Sequence, residues 1–113
     1  MHTDLEGLSA EAVRLSNLID KGVTALRDAA VAYAEAEHEY RERQAMAYLE
    51  TEQGTVAERE AHVYAVVGDW RRRRDLADGQ KLAALEAVRS RRAQLSALQT
   101  LISAHRAEAE LAR

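Results

Sequence analysis

Trp70-Arg71-Arg72-Arg73-Arg74 sets one indole beside four consecutive guanidiniums. Guanidiniums grip carboxylates and phosphates bidentately, and an indole offers a flat face to a base or an apolar side chain. Lys81, Arg89, Arg91 and Arg92 extend the basic stretch. Two readings stand side by side. In the first, Trp70, Arg71, Arg72, Arg73, Arg74, Arg89, Arg91 and Arg92 form a surface for an acidic or phosphate-bearing partner. In the second, Glu35, Glu37, Glu39 and Glu42 of a neighbouring helix neutralise the arginines, and Trp70 belongs to a core.

Histidine and glutamate give weaker signals. Glu35-Ala36-Glu37-His38 has the Glu-x-x-His spacing of di-iron four-helix bundles. That chemistry needs a second copy of the motif, and the chain has none. Glu58-x-x-x-His62 is a similarly weak spacing, and His105 falls on an apolar seam. The expectation is no metal and no cofactor. No phosphate-binding loop, dinucleotide glycine pattern, nucleophile elbow or zinc-protease helix occurs. A non-enzymatic protein is expected.

The residues that must position these groups read as helix almost throughout. The 113-residue chain has no proline, cysteine or phenylalanine. Without cysteine there is neither a disulfide framework nor a thiolate metal site. Charged residues make up 31% and the net charge is −3. That charge is split: residues 1–53 carry eleven acids and five bases, and residues 54–113 carry eight acids and eleven bases. No apolar run has the length of a membrane span, and Met1–Glu6 lacks a signal peptide's basic and apolar regions. A cytoplasmic protein that does not enter membranes is expected.

Leu8, Ala12, Leu15, Ile19, Gly22, Leu26, Ala29, Tyr33, Ala36 and Tyr40 recur at spacings of four and three. This is a seam of period near 3.5, and it predicts a helix over about 9–52 with Ser9 as its cap. Thr3-Asp4-Leu5-Glu6 has capping-box spacing for a short preceding turn. Arg43 interrupts the seam. Gln53-Gly54-Thr55 predicts a turn, and Thr55-Val56-Ala57-Glu58 predicts the cap of a second helix over about 56–111. Its seam runs through Val63, Val67, Trp70, Ala77, Ala84, Val88, Leu95, Leu98 and Ile102, with Arg74, Lys81 and Arg91 as polar intrusions. Asp78-Gly79 is a candidate break.

The expected fold is all-α: a single domain, 1–113, built as a long antiparallel helical hairpin of coiled-coil character. Folding at Gly54 pairs residue i with a residue near 107 − i. Ile19 then faces Val88, Leu15 faces Arg92, Tyr40 faces Val67, Leu8 lies near Leu98, and Arg71–Arg74 lie opposite residues 33–36. The helices would run roughly 65–80 Å. Val13, Leu18, Val23, Val31, Met46, Tyr48 and Leu49 lie off the seam. They predict a homo-oligomer, most simply a dimer closing a helical bundle.

Residues Tyr40-Arg41-Glu42-Arg43-Gln44-Ala45-Met46-Ala47-Tyr48-Leu49-Glu50 and Gly54-Thr55-Val56-Ala57-Glu58-Arg59-Glu60-Ala61 form one such pattern. The tail Leu85-Glu86-Ala87-Val88-Arg89-Ser90-Arg91-Arg92, continuing through Leu98 to Glu108, forms another. Together they resemble small helical proteins of phage early regions, found beside recombination and replication genes. The resemblance covers about residues 33–113. It implies an accessory protein acting on phage or host machinery, and it carries no site residues.

The expected function is therefore binding of a host or phage macromolecule, first a protein, through the Arg-rich helix. Tyr48 and Tyr64 near the turn offer a second contact area. Two alternatives remain. One is a nucleic-acid-binding accessory factor for recombination or replication. The other is a purely structural assembly protein.

Overall fold

A computed structural model describes residues 4–112. Three helices follow in order: α1 (Leu5–Glu50), α2 (Val56–Val66) and α3 (Gly68–Leu111). The fold is all-α, with no strand among the described residues.

α1 begins earlier than the seam predicts. Asp4, not Ser9, caps it: its Oδ1 accepts from the Gly7 N–H at 2.6 Å, and its carbonyl accepts from Leu8 N–H at 3.0 Å. A carboxylate on the third amide of a helix satisfies a donor that the helix leaves open and suits the positive end of its dipole. Thr3, the other half of the expected capping box, lies outside the described residues.

α1 ends at Glu50 without a basic residue in its last turn. Its open carbonyls are met from outside the helix. The Thr51 hydroxyl donates to the Ala47 carbonyl at 2.8 Å, and Thr51 N–H donates to Tyr48 O at 3.3 Å. Gly54 takes φ 106°, a conformation that glycine adopts freely and other residues do not. Thr55 then caps α2, its Oγ1 accepting from Glu58 N–H at 3.2 Å.

The return segment is interrupted at Val67, not at Asp78-Gly79. Val67 has φ −93° and ψ 12°, just before Gly68, whose low helix preference sits where the geometry relaxes. The hydrogen-bond ladder survives there: Val67 N–H reaches Val63 O, and Arg71 N–H reaches Val67 O, both at 3.0 Å. α3 runs unbroken through Gly79.

The chain divides into two compact units, Met1–Leu26 with Ala84–Arg113, and Arg27–Ala83. In the first, α1 and α3 lie antiparallel around Leu8, Leu15, Leu98 and Ile102, with Ala12 and Leu95 against them. Val88 is 2% exposed and approaches Gly22 so closely that a Cβ there would meet its Cγ2 at 3.0 Å. In the second, α1 packs against α2 and the start of α3 around Ala47, Val63 and Val67, with Tyr40 beside them. Val63 and Val67 are each 1% exposed, and burying one such side chain contributes about 1.5–3 kcal/mol.

The register is shifted from the expected one. Val88 meets Gly22 rather than Ile19, and Arg74 meets Glu37 and Tyr40 rather than residues 33–36. Residues 51–55 are not helical. Extended chain advances roughly 3.3 Å per residue against 1.5 Å in a helix, so the return helix starts beyond the end of α1.

Candidate partner-binding surface

The arginine run occupies the start of α3, where consecutive residues point in directions about 100° apart. Its five side chains therefore cannot act as one patch. Trp70, on the seam, is half-buried and donates from Nε1 to Glu39 Oε1 on α1 at 3.1 Å. The Arg43 guanidinium lies 4.7 Å from the indole centroid and that of Arg73 lies 5.8 Å away. Arg43 interrupts the apolar seam in sequence, and the structure gives it this ring to pack on.

Arg74 is the member consumed by the first helix. It pairs with Glu37 at 3.6 Å and with Asp75 at 2.9 Å, and it lies 4.4 Å over the Tyr40 ring. The hydrogen bond to Asp75 raises its pKa from the ordinary arginine value. Arg71 turns back along its own segment. Its Nη1 donates to the Tyr64 carbonyl at 2.9 Å, and its guanidinium lies 3.5 Å from the Tyr64 ring centroid. Arg72, about 160° around the helix from Trp70, is exposed and has no ion-pair, hydrogen-bond or ring partner among the described residues. Neutralisation by the acids of α1 thus reaches one of the four arginines.

Arg89, Arg91 and Arg92 belong to the other compact unit. Arg89 pairs with Glu86 at 3.1 Å. Arg91 is half-buried and donates to the Leu18 carbonyl at 3.5 Å. Arg92 is exposed, again without a partner among the described residues.

The polar intrusions of the second seam resolve into ring contacts. Lys81 Nζ lies 3.9 Å from the centroid of Tyr33, as Arg74 lies over Tyr40. Tyr33 and Tyr40 are seven residues apart, as are Arg74 and Lys81, so two rungs of one antiparallel ladder repeat at the heptad interval.

The remaining candidates stay apart. His38 pairs with Glu42 at 3.5 Å on the surface, and Glu35 is exposed. No group of three or more potential ligands gathers as a metal site among the described residues. Glu58 and His62 line an open hollow of about 520 Å³ at the turn, together with Glu50, Thr51, Glu52 and Gln53. His105 is half-buried in its own unit. Tyr48 and Tyr64 are both exposed.

Sequence reading missed Arg59. Its Nη2 reaches the Tyr48 carbonyl at 3.5 Å, bringing a cation from α2 to the end of α1. The signal was available as a basic residue shortly after a helix end that lacks one.

None of the described helices is long and apolar enough to cross a membrane. No protein-family model, curated protein or solved structure matches the chain.

Proposed function

We propose that this chain is a non-enzymatic helical interaction protein, phage-encoded and acting in the host cytoplasm, that docks on a host or phage protein through the Arg71–Arg72 face of α3. One observation carries this reading. Glu37 takes up Arg74, while Arg72 stands exposed without a carboxylate partner among the described residues and Arg71 lies flat on an exposed tyrosine. An exposed guanidinium and a second one stacked on an exposed ring are each suited to contact with a partner's carboxylates. Arg92 is a further exposed cation, in the other unit.

Nucleic acid is the second reading, and two observations weigh against it. The indole of Trp70 already packs against Arg43 and Arg73, which leaves less ring for a base. Residues 27–83 hold twelve acids and nine bases, a net charge of −3, which opposes a polyanion. The test is anisotropy of labelled single- and double-stranded oligonucleotides at two salt concentrations, with wild type and the Arg71→Glu/Arg72→Glu variant. The protein-partner reading expects no salt-sensitive binding by wild type. Micromolar binding that falls steeply with salt and disappears in the variant would replace it with the nucleic-acid reading.

A further inference from the structure

In the unit formed by Met1–Leu26 with Ala84–Arg113, α3 carries four arginines and no acid over residues 87–107, although the chain has 19 acids. Two of the four are occupied. Arg89 pairs with Glu86 at 3.1 Å, and Arg91 donates to the Leu18 carbonyl at 3.5 Å. Arg92 and Arg106 are exposed and have no ion-pair, hydrogen-bond or ring partner among the described residues. They stand with Gln99 at intervals of seven residues, so all three share one stripe of α3, and the two arginines are rooted about 21 Å apart.

Beside Arg106 this stripe borders a hollow. It has a volume of about 290 Å³ and lies between α1 and α3, lined by Ser9, Ala12, Gln99, Ile102, Ser103 and Arg106. Ala12 and Ile102 belong to the core of this unit and give the hollow an apolar floor. The two hydroxyls, the amide and the guanidinium have no hydrogen-bond partner among the described residues. Four polar side chains thus line one hollow with their bonding capacity unspent.

Charge selects the occupant. Hydroxyls and amides donate or accept, so they suit either sign, but the one charged group in the lining, among the described residues, is a guanidinium. One guanidinium balances one negative charge, and its fork matches both oxygens of a carboxylate. A phosphate monoester would bring nearly two charges to a place with one cation, with Glu108 and Glu110 next along α3. The apolar floor suits the methylenes that carry a glutamate's carboxylate. A helix laid along α3 covers about 21 Å in fourteen residues, so an acid that far from the first reaches Arg92.

We infer that this hollow seats a glutamate on a helix of a partner protein, and that a second acid of the same helix, fourteen residues away, meets Arg92. The site lies in the unit that does not contain Arg71 and Arg72, so it goes beyond the proposed function and stands or falls separately from it.

The probe is a capped alanine-rich peptide with two glutamates fourteen residues apart, titrated into the isotope-labelled full chain and followed by NMR of backbone amides and arginine side chains. The expected result is a saturable shift centred on Gln99, Ser103, Arg106 and Arg92. Arg106→Met weakens binding about tenfold or more by removing the fork. Ser103→Leu changes no charge but fills the hollow, and it weakens binding by about the same factor. Both positions are exposed, and circular dichroism of each variant matches wild type. Arg71→Glu/Arg72→Glu, which tests the proposed function, leaves the affinity within about twofold. Shifts spread evenly over every exposed arginine would overturn the inference, as would an affinity unchanged in Arg106→Met or in Ser103→Leu. Equal binding of a peptide with glutamines in place of the glutamates, or tighter binding of one with phosphoserines there, would also overturn it, since a carboxylate would then not be what the hollow selects.

Discussion

Lys81 Nζ lies 3.9 Å from the centroid of the Tyr33 ring, one heptad along the same seam from Arg74 over Tyr40. These contacts explain how a seam can hold cations at core positions. Each charge keeps part of its hydration and gains a ring face, while its alkyl stem covers apolar surface. A double-mutant cycle with Tyr33→Leu and Lys81→Met, followed by urea denaturation, is expected to give a coupling energy of about 0.5–1 kcal/mol. A coupling indistinguishable from zero would mean that the ladder is geometry without energy.

The glycines separate cleanly by environment. A Cβ at Gly79 would meet nothing within 4 Å, so Gly79→Ala should stabilise the chain by up to about 1 kcal/mol through helix preference alone. Gly54 at φ 106° predicts the opposite sign: Gly54→Ala should cost about 1 kcal/mol or more. Thermal denaturation of the two variants checks both signs at once.

Arg59 closes the end of α1 from α2, and its Nε is buried without a hydrogen-bond partner among the described residues. Its contribution is therefore mixed. The contact of its Nη2 with the Tyr48 carbonyl is long, and the unpaired Nε costs energy. Arg59→Met keeps the stem and removes both, so it is expected to shift stability by less than about 1 kcal/mol, whereas Arg59→Asp, which faces the negative end of the α1 dipole, should cost more. Equal effects from the two would show that dipole electrostatics is irrelevant there.

Trp70 is the one tryptophan of the chain and reports on its own tether. Glu39→Ala removes the acceptor of its Nε1 proton, and the expected outcome is a change in emission with a stability loss of about 0.5–1.5 kcal/mol. Unchanged emission would show that the indole does not depend on Glu39 for its position.

Much of this fold is legible in sequence. The seam from Leu8 to Tyr40 and the Gly54-Thr55 punctuation are enough for an all-α hairpin, because period and turn chemistry are local properties. Register is less legible. It depends on how far residues 51–55 carry the chain before α2 begins, and a shift of three to seven residues changes which charges meet. That shift moved Arg74 onto Glu37 and Tyr40. The start of α1 was missed because Ser9 and Asp4 are both good caps, and only the bond from Gly7 N–H distinguishes them. The Val67 interruption has no clear signal beyond the following glycine, since the same glycine at position 79 interrupts nothing. Within the candidate site, the composition of the arginine run was evident. The separate fates of Arg71, Arg72, Arg73 and Arg74 come from helix azimuth combined with that register.

The most direct test is quantitative affinity capture from nuclease-treated host extract, comparing wild type with Arg71→Glu/Arg72→Glu after sedimentation has shown that both have the same oligomeric state. A saturable protein partner retained by wild type, reconstituted from purified components and weakened about tenfold or more in the variant, is the predicted result. Equal retention by both proteins, or no saturable partner for either, would contradict a docking face at Arg71 and Arg72.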